Sequence, residues 1–145
     1  MTNRNARPVP PPDVVLDARS WLAVAQTLHF VGQSIAALER TERALLLTTQ
    51  PCHAEVRYQA LLHRAWIYAE CGRRDEGRNA LGLAFALGRE RGYAQKHFYL
   101  NNEHVLARLC AWALQLGIEV EYSRAVIRER RLLPRFAGPT PDGWP

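Results

Sequence analysis

The side chains with chemistry of their own are few and scattered. Five histidines stand at His29, His53, His63, His97 and His104. No two are four residues apart, there is no His-Glu-x-x-His, and His53 beside Cys52 has no second close ligand pair. The spacing therefore offers no zinc site. The three cysteines, Cys52, Cys71 and Cys110, are odd in number, widely spaced and outside any Cys-x-x-Cys pair, so they read as buried thiols. A nucleophile needs a base within hydrogen-bond reach and a third group to orient that base. No spacing among His63, Cys71 and Cys110 builds such a set, and no Gly-rich loop leads into Lys-Ser or Lys-Thr to cradle a phosphate. The expectation is no catalytic residue, no metal and no cofactor: a chain that is not an enzyme.

Charge is the other candidate for chemistry. The net charge is +5, and 18 of the 19 basic residues are Arg, a skew that a GC-rich bacterial genome produces through its codons. Five arginines, Arg124, Arg128, Arg130, Arg131 and Arg135, stand near the C-terminus against the single Glu129. On a second helix of a helix-turn-helix, Arg124, Arg128, Arg130 and Arg131 would contact DNA. They crowd toward the end of their helix, however, whereas reading residues lie toward its start. Cations also complement the negative pole of a helix C-terminus. Nucleic-acid contact without a further domain is therefore the alternative reading.

The elements that must hold these side chains are helices. Residues 1–12 carry Pro8, Pro10, Pro11 and Pro12 and read as a disordered lead-in. Residues 134–145 carry four more prolines with Gly138 and Gly143 and read as a tail or linker. Between them, 13–133 reads as one domain. Val14, Ala18, Trp21, Ala25 and Leu28 fall at three- and four-residue steps on one helix face, and Gly32 stops that helix. Ser34 is placed to cap a second helix carrying Ile35, Leu38, Ala44 and Leu45 inward. A break at Thr48–His53 precedes a third helix from about Ala54 to Cys71 and a fourth from about Asp75 to Arg91. Asn101 or Asn102 would cap a fifth that ends near Gly117, and a sixth runs from about Glu119 to Arg131. No segment prefers strand. No apolar run reaches the ~18 residues of a membrane span, and the N-terminus lacks the apolar core of a signal peptide. A cytoplasmic protein without a membrane partner is expected.

Shifted by 40 residues, the chain matches itself. Trp21 falls on Leu61, Ala25 on Ala65, Leu28 on Tyr68, Gly32 on Gly72, Ala37 on Gly77, Ala44 on Ala84 and Leu45 on Phe85. Large residues meet large ones and small meet small, as two copies of one helical hairpin require. Ala25, Ala65, Ala37 and Gly77 mark where paired helices approach most closely. Gly77 inside a helix costs about 1 kcal/mol against Ala, which close packing would offset.

This pattern of large, small and Gly positions resembles a tetratricopeptide hairpin. With its period near 40 it is similar to the MalT-like tetratricopeptide region of large bacterial transcriptional regulators of the LuxR type and their relatives. Arg64 departs from the pattern where an apolar residue is usual, and Thr41 where an aromatic or Leu is usual. The stretch from Arg108 to Tyr122, with Ala-Trp-Ala-Leu-Gln-Leu-Gly at 111–117, and the run 126–134 resemble the segment that closes the repeat region in such regulators. There a DNA-binding domain can follow a linker bearing Trp-Pro, and Trp144-Pro145 stands here. The resemblance spans about residues 14–134 and includes neither an NTPase nor a DNA-binding domain.

It implies an all-α superhelix of three antiparallel helical hairpins, about six helices, with the third pair as an atypical cap. It also implies a concave face lined by the first helix of each pair. Carried over by position, that face takes Arg19, Leu22, Gln26, His29 and Phe30 from the first pair, and Gln59, Leu62, Trp66 and Glu70 from the second. The implied role is a protein-interaction module linked to transcriptional regulation. It would bind a peptide, a partner domain or itself, and a homodimer is the form that an open stack end suggests.

Overall fold

A computed structural model describes residues 13–94, 103–134 and 138–145. The lead-in at 1–12, the Asn101 and Asn102 caps and Arg135 lie outside the described residues. The described chain is all-helical: α1 (Val14–Phe30), α2 (Ser34–Leu47), a single 3-10 turn (Pro51–His53), α3 (Ala54–Glu70), α4 (Arg74–Arg91), α5 (Glu103–Leu116) and α6 (Val120–Arg130). The helices pair as hairpins α1–α2, α3–α4 and α5–α6. Helix α3 also packs on α1, α2 and α5, while α4 meets α5 and α6. This is the expected superhelix of hairpins.

Each hairpin reverses through the same backbone bonds. At the first turn Gly32 N–H donates to His29 O, Gln33 N–H to Leu28 O and Ala37 N–H to Gln33 O. At the second, Gly72 donates to Ala69, Arg73 to Tyr68 and Gly77 to Arg73, all 40 residues on. Both glycines take positive φ, +85° and +74°, where a side chain would be strained. Gln33, not Ser34, is the residue before α2, and Ser34 opens the helix without a side-chain cap. The end of α2 is instead held by Arg57 of α3, whose Nη1 donates to the Leu45 and Thr48 carbonyls at 3.0 and 3.1 Å. The third turn repeats the bonds 45 residues on, with Gly117 to Leu114 and Ile118 to Ala113. It has one more residue before its second helix, and that residue, Glu119, takes φ +41°. Helix α6 also ends on a left-handed non-glycine, Arg131 at φ +51°. It is therefore one residue shorter at each end than the sequence suggested.

The core follows the repeat. Ala18, Leu22 and Ala25 of α1 and their counterparts Tyr58, Leu62 and Ala65 of α3 are all buried, as are Ala37, Gly77, Ala44, Ala84, Leu45 and Phe85. Ile35, expected to face inward, is instead 80% exposed, because it stands in the first turn of α2 off the face that carries Ala37, Thr41 and Ala44. The two departures from the repeat pattern are accommodated by polar contacts. Thr41 is buried and donates to Ala37 O at 2.9 Å. Arg64 lies 3.0 Å from Glu42 Oε1 as an ion pair out of line for a hydrogen bond, with its guanidinium over Tyr68. Toward the C-terminal end, Tyr58, Phe85, Tyr93 and Tyr122 form an aromatic cluster. The Tyr58 and Tyr122 hydroxyls are 2.8 Å apart, and both rings meet a neighbour edge-on. Burial raises both phenol pKa values, so the pair stays neutral. Residues 138–145 contain no helix, as their prolines dictate, yet they are not a free tail. Pro141 is buried and Trp144 packs against the core, because a Pro-rich strap can still bury apolar rings.

Two glycines on α4 separate packing from propensity. A Cβ at Gly88 would collide with the Tyr122 hydroxyl and the Tyr58 ring, whereas one at Gly82 would meet nothing within 4 Å. Gly82→Ala is therefore expected to raise stability by about 0.5–1 kcal/mol through helix propensity. Gly88→Ala should lower it by about 1–3 kcal/mol through overpacking. Urea unfolding of the two variants, which should shift in opposite directions, checks both.

Candidate functional site

A recess lies between α3 and α5. It is a cleft of about 270 Å³ lined by Trp66, Ala69 and Glu70 of α3 and by Arg108, Leu109, Ala111, Trp112 and Gln115 of α5. On α3, Trp66 and Glu70 are one turn apart. On α5, Arg108, Ala111, Trp112 and Gln115 follow at three- and four-residue steps, so one helix face forms the wall. The guanidinium of Arg108 stands over the Trp66 indole, 5.4 Å from its centroid, an attraction of about 0.5–1 kcal/mol at an exposed site. Trp112 is seated by α4: the place a Gly77 Cβ would take lies 2.8 Å from its ring tip. The missing side chain at Gly77 thus sets how closely α5 lies against the second hairpin.

Beside the cleft, Glu70 also faces α1. His29 Nε2 lies 2.5 Å from Glu70 Oε2, and the His29 and His63 rings are 5.5 Å apart at a tilt. His63 in turn reaches Thr41, with Nδ1 3.2 Å from Oγ1. The single Thr41 hydroxyl proton goes to Ala37 O, so the hydroxyl oxygen accepts from His63 and Nδ1 carries the proton. Burial pushes the His63 pKa down to about 4, and the neighbouring His29 adds to the shift. A hydroxyl beside an imidazole resembles a nucleophile and its base. Here both groups are buried and the hydroxyl proton already goes to Ala37 O, so the pair ties α2 to α3.

The expected groove residues separate. Trp66 is half-buried and lines the cleft with Glu70, while His29 joins Glu70 from α1. Arg19 and Gln26 are half-exposed on α1 away from the cleft, and Phe30 is 91% exposed at the end of α1. Three residues do not belong to an open surface. Leu22 and Leu62 are core residues, because each shares a helix face with the small residues that pack the hairpins together. Gln59 is 3% exposed, and its Oε1 has no hydrogen-bond partner. The α5 wall was absent from the expectation. Its signal is legible as Arg108, Ala111, Trp112 and Gln115 on one face, but the closing pair stands outside the 40-residue register.

The arginine set divides as well. Arg128 and Arg131 are exposed, while Arg124 and Arg130 are half-buried. Arg124 sits 3.8 Å from Glu121 with its Nε buried and unbonded. Arg131 closes α6 and shares a small recess with Glu103, His104 and Leu133. These arginines do not make one open basic face. Of the three cysteines only Cys110 is a buried thiol, and burial raises its pKa strongly. Cys52 and Cys71 are exposed, because each sits in or at the end of a turn rather than on a packed helix face. Among the described residues no group of three His, Cys, Asp or Glu is placed to hold a metal ion, and no helix is long and apolar enough to cross a membrane. No protein-family model, curated protein or solved structure matches the chain.

His63 provides a pH test of the α2–α3 tie. Its folded pKa of about 4 lies below the ordinary 6.5, so between these values the unfolded chain binds the extra proton. The stabilisation from neutral His63 is fully present above pH 6.5 and is lost as pH falls toward 4, a change of up to about 3 kcal/mol. Urea midpoints at neutral pH and near the lower limit should differ strongly in the wild type. In His63→Gln, which has nothing to titrate there, the difference should shrink.

Proposed function

We propose that this chain is a non-catalytic protein-interaction module that takes a short peptide segment of a partner into the α3–α5 cleft. The observation that carries the proposal is the pairing of two indoles with opposite charges in one recess: Trp66 and Trp112 beside Arg108 and Glu70. The indoles offer a large contact area at little entropic cost, and such residues dominate protein interfaces. Arg108, Gln115 and Glu70 can bond the backbone of an extended segment as donors and an acceptor. The volume of about 270 Å³ falls just short of the ~300–1,000 Å³ of small-molecule sites. It suits one anchoring side chain of a peptide. The superhelix of hairpins supports the same reading, since such stacks present preformed surfaces and bind without making or breaking bonds. The likeness of the sequence to the helical repeat region of bacterial transcriptional regulators suggests that the partner belongs to transcriptional control.

A random peptide library displayed on phage tests the proposal. Selection on the folded chain should enrich a family of peptides with a shared bulky residue. Trp66→Ala should weaken the selected peptides at least tenfold, about 1.4 kcal/mol. Gly77→Ala should weaken them too by displacing Trp112, while Gly82→Ala leaves binding unchanged. No enrichment, or peptides indifferent to Trp66, would overturn the reading. A gel shift on duplex DNA across a salt series separates the alternative. Binding that falls with salt and is lost in Arg128→Ala with Arg131→Ala would favour direct DNA contact.

A further inference from the structure

The 40-residue repeat lets each face of α1 be compared with its counterpart on α3. Leu16, Ser20, Ala23 and Thr27 correspond to Val56, Ala60, His63 and Ile67. The α3 set is buried without exception, and His63 reaches Thr41 of α2, so this is the face that α3 lays against the hairpin before it. The α1 set is exposed without exception. Helix α1 thus turns to solvent the face that its own repeat buries.

That face has the chemistry of an interior. Leu16, Val24 and Val31 are 60%, 45% and 61% exposed. From Ser20 to Val31 every exposed position, Ser20, Ala23, Val24, Thr27, Phe30 and Val31, is uncharged. On α1 the exposed charge is confined to Asp17 in the first turn, whereas the other helices expose charge further along, such as Glu39 and Arg43 on α2, Arg78 on α4, Arg108 on α5 and Arg128 on α6. The opposite end of the stack is covered, with Leu132 and Pro141 buried and Trp144 on the core.

We infer that a second copy of this chain docks on the α1 face, α1 against α1, about a two-fold axis. Two observations select this occupant. The covered C-terminal end closes off head-to-tail stacking and leaves the self-complementary contact. Finally, each chain carries +5, so two copies repel except where they meet across an uncharged surface. Leu16, Val24, Phe30 and Val31 expose on the order of 450 Å², comparable with the largest apolar patch of an ordinary monomer. That is about half of the ~800 Å² that each side of a stable interface buries, so the contact must also take in Ser20, Ala23 and Thr27, which are exposed between them. The cleft lies on the α3–α5 side, so dimerisation and peptide capture are separable.

Sedimentation equilibrium of the full chain at micromolar concentration tests this. The expected mass is twice the 16.5 kDa of one chain. Val24→Glu with Thr27→Glu, both at exposed positions, should leave the helical circular dichroism intact and weaken the dimer at least tenfold. With Cys52→Ser and Cys71→Ser as background, Ala23→Cys should cross-link to its symmetry mate under mild oxidation, and Asn79→Cys on α4 should not. A monomeric wild type, a dimer indifferent to the double substitution, a ladder of larger species or an uncrosslinked Ala23→Cys would each overturn the inference.

Discussion

The cleft rests on the absence of a single side chain. Gly77 leaves room on α4 for the edge of Trp112, and that contact seats α5 against the second hairpin. With α5 seated, Arg108 comes to lie over Trp66, and the two helices enclose a recess instead of meeting flush. The same constraint acts elsewhere. Ala25, Ala65 and Ala37 let paired backbones approach, and Gly88 admits the Tyr58–Tyr122 pair that joins α3 to α6. Small residues thus determine helix spacing, and large ones fill what remains.

Much of the fold was readable because its rules are local. Glycines at the turns, apolar residues at three- and four-residue steps and the shift of 40 located the hairpins to within a residue or two. The turns even repeat bond for bond. The site was harder, because it depends on which neighbour arrives next. Leu22 and Leu62 look like groove residues to a positional rule, but they share a face with the alanines of closest approach, and so they are covered. The Arg108–Gln115 wall escaped because the third pair lies 45 residues on, outside the register. Proline and glycine announced the irregular tail; nothing in that composition showed that Pro141 and Trp144 would find the core.

Polar groups inside this stack act as connectors. Thr41, His63, His29 and Glu70 form a line of contacts from α2 through α3 to α1. The buried part of that line, Thr41 with His63, fixes register between hairpins more sharply than methyl groups do, since a slip by one residue would leave buried polar atoms unpaired. Its cost is that one member, His63, must remain neutral.

Helix α6 begins and ends on non-glycine residues in the left-handed region, Glu119 and Arg131. Each such residue carries about 1–2 kcal/mol of backbone strain. Part of that is offset at Glu119, whose carboxylate accepts from Arg89 Nε at 2.8 Å. A helix flanked by two strained joints is the easiest one to release on its own. Its amides should be among the first to exchange with deuterium while α3, gripped by four other helices, stays protected. The stack is therefore not equally rigid along its length: its middle behaves as a beam and its closing helix as a hinged flap.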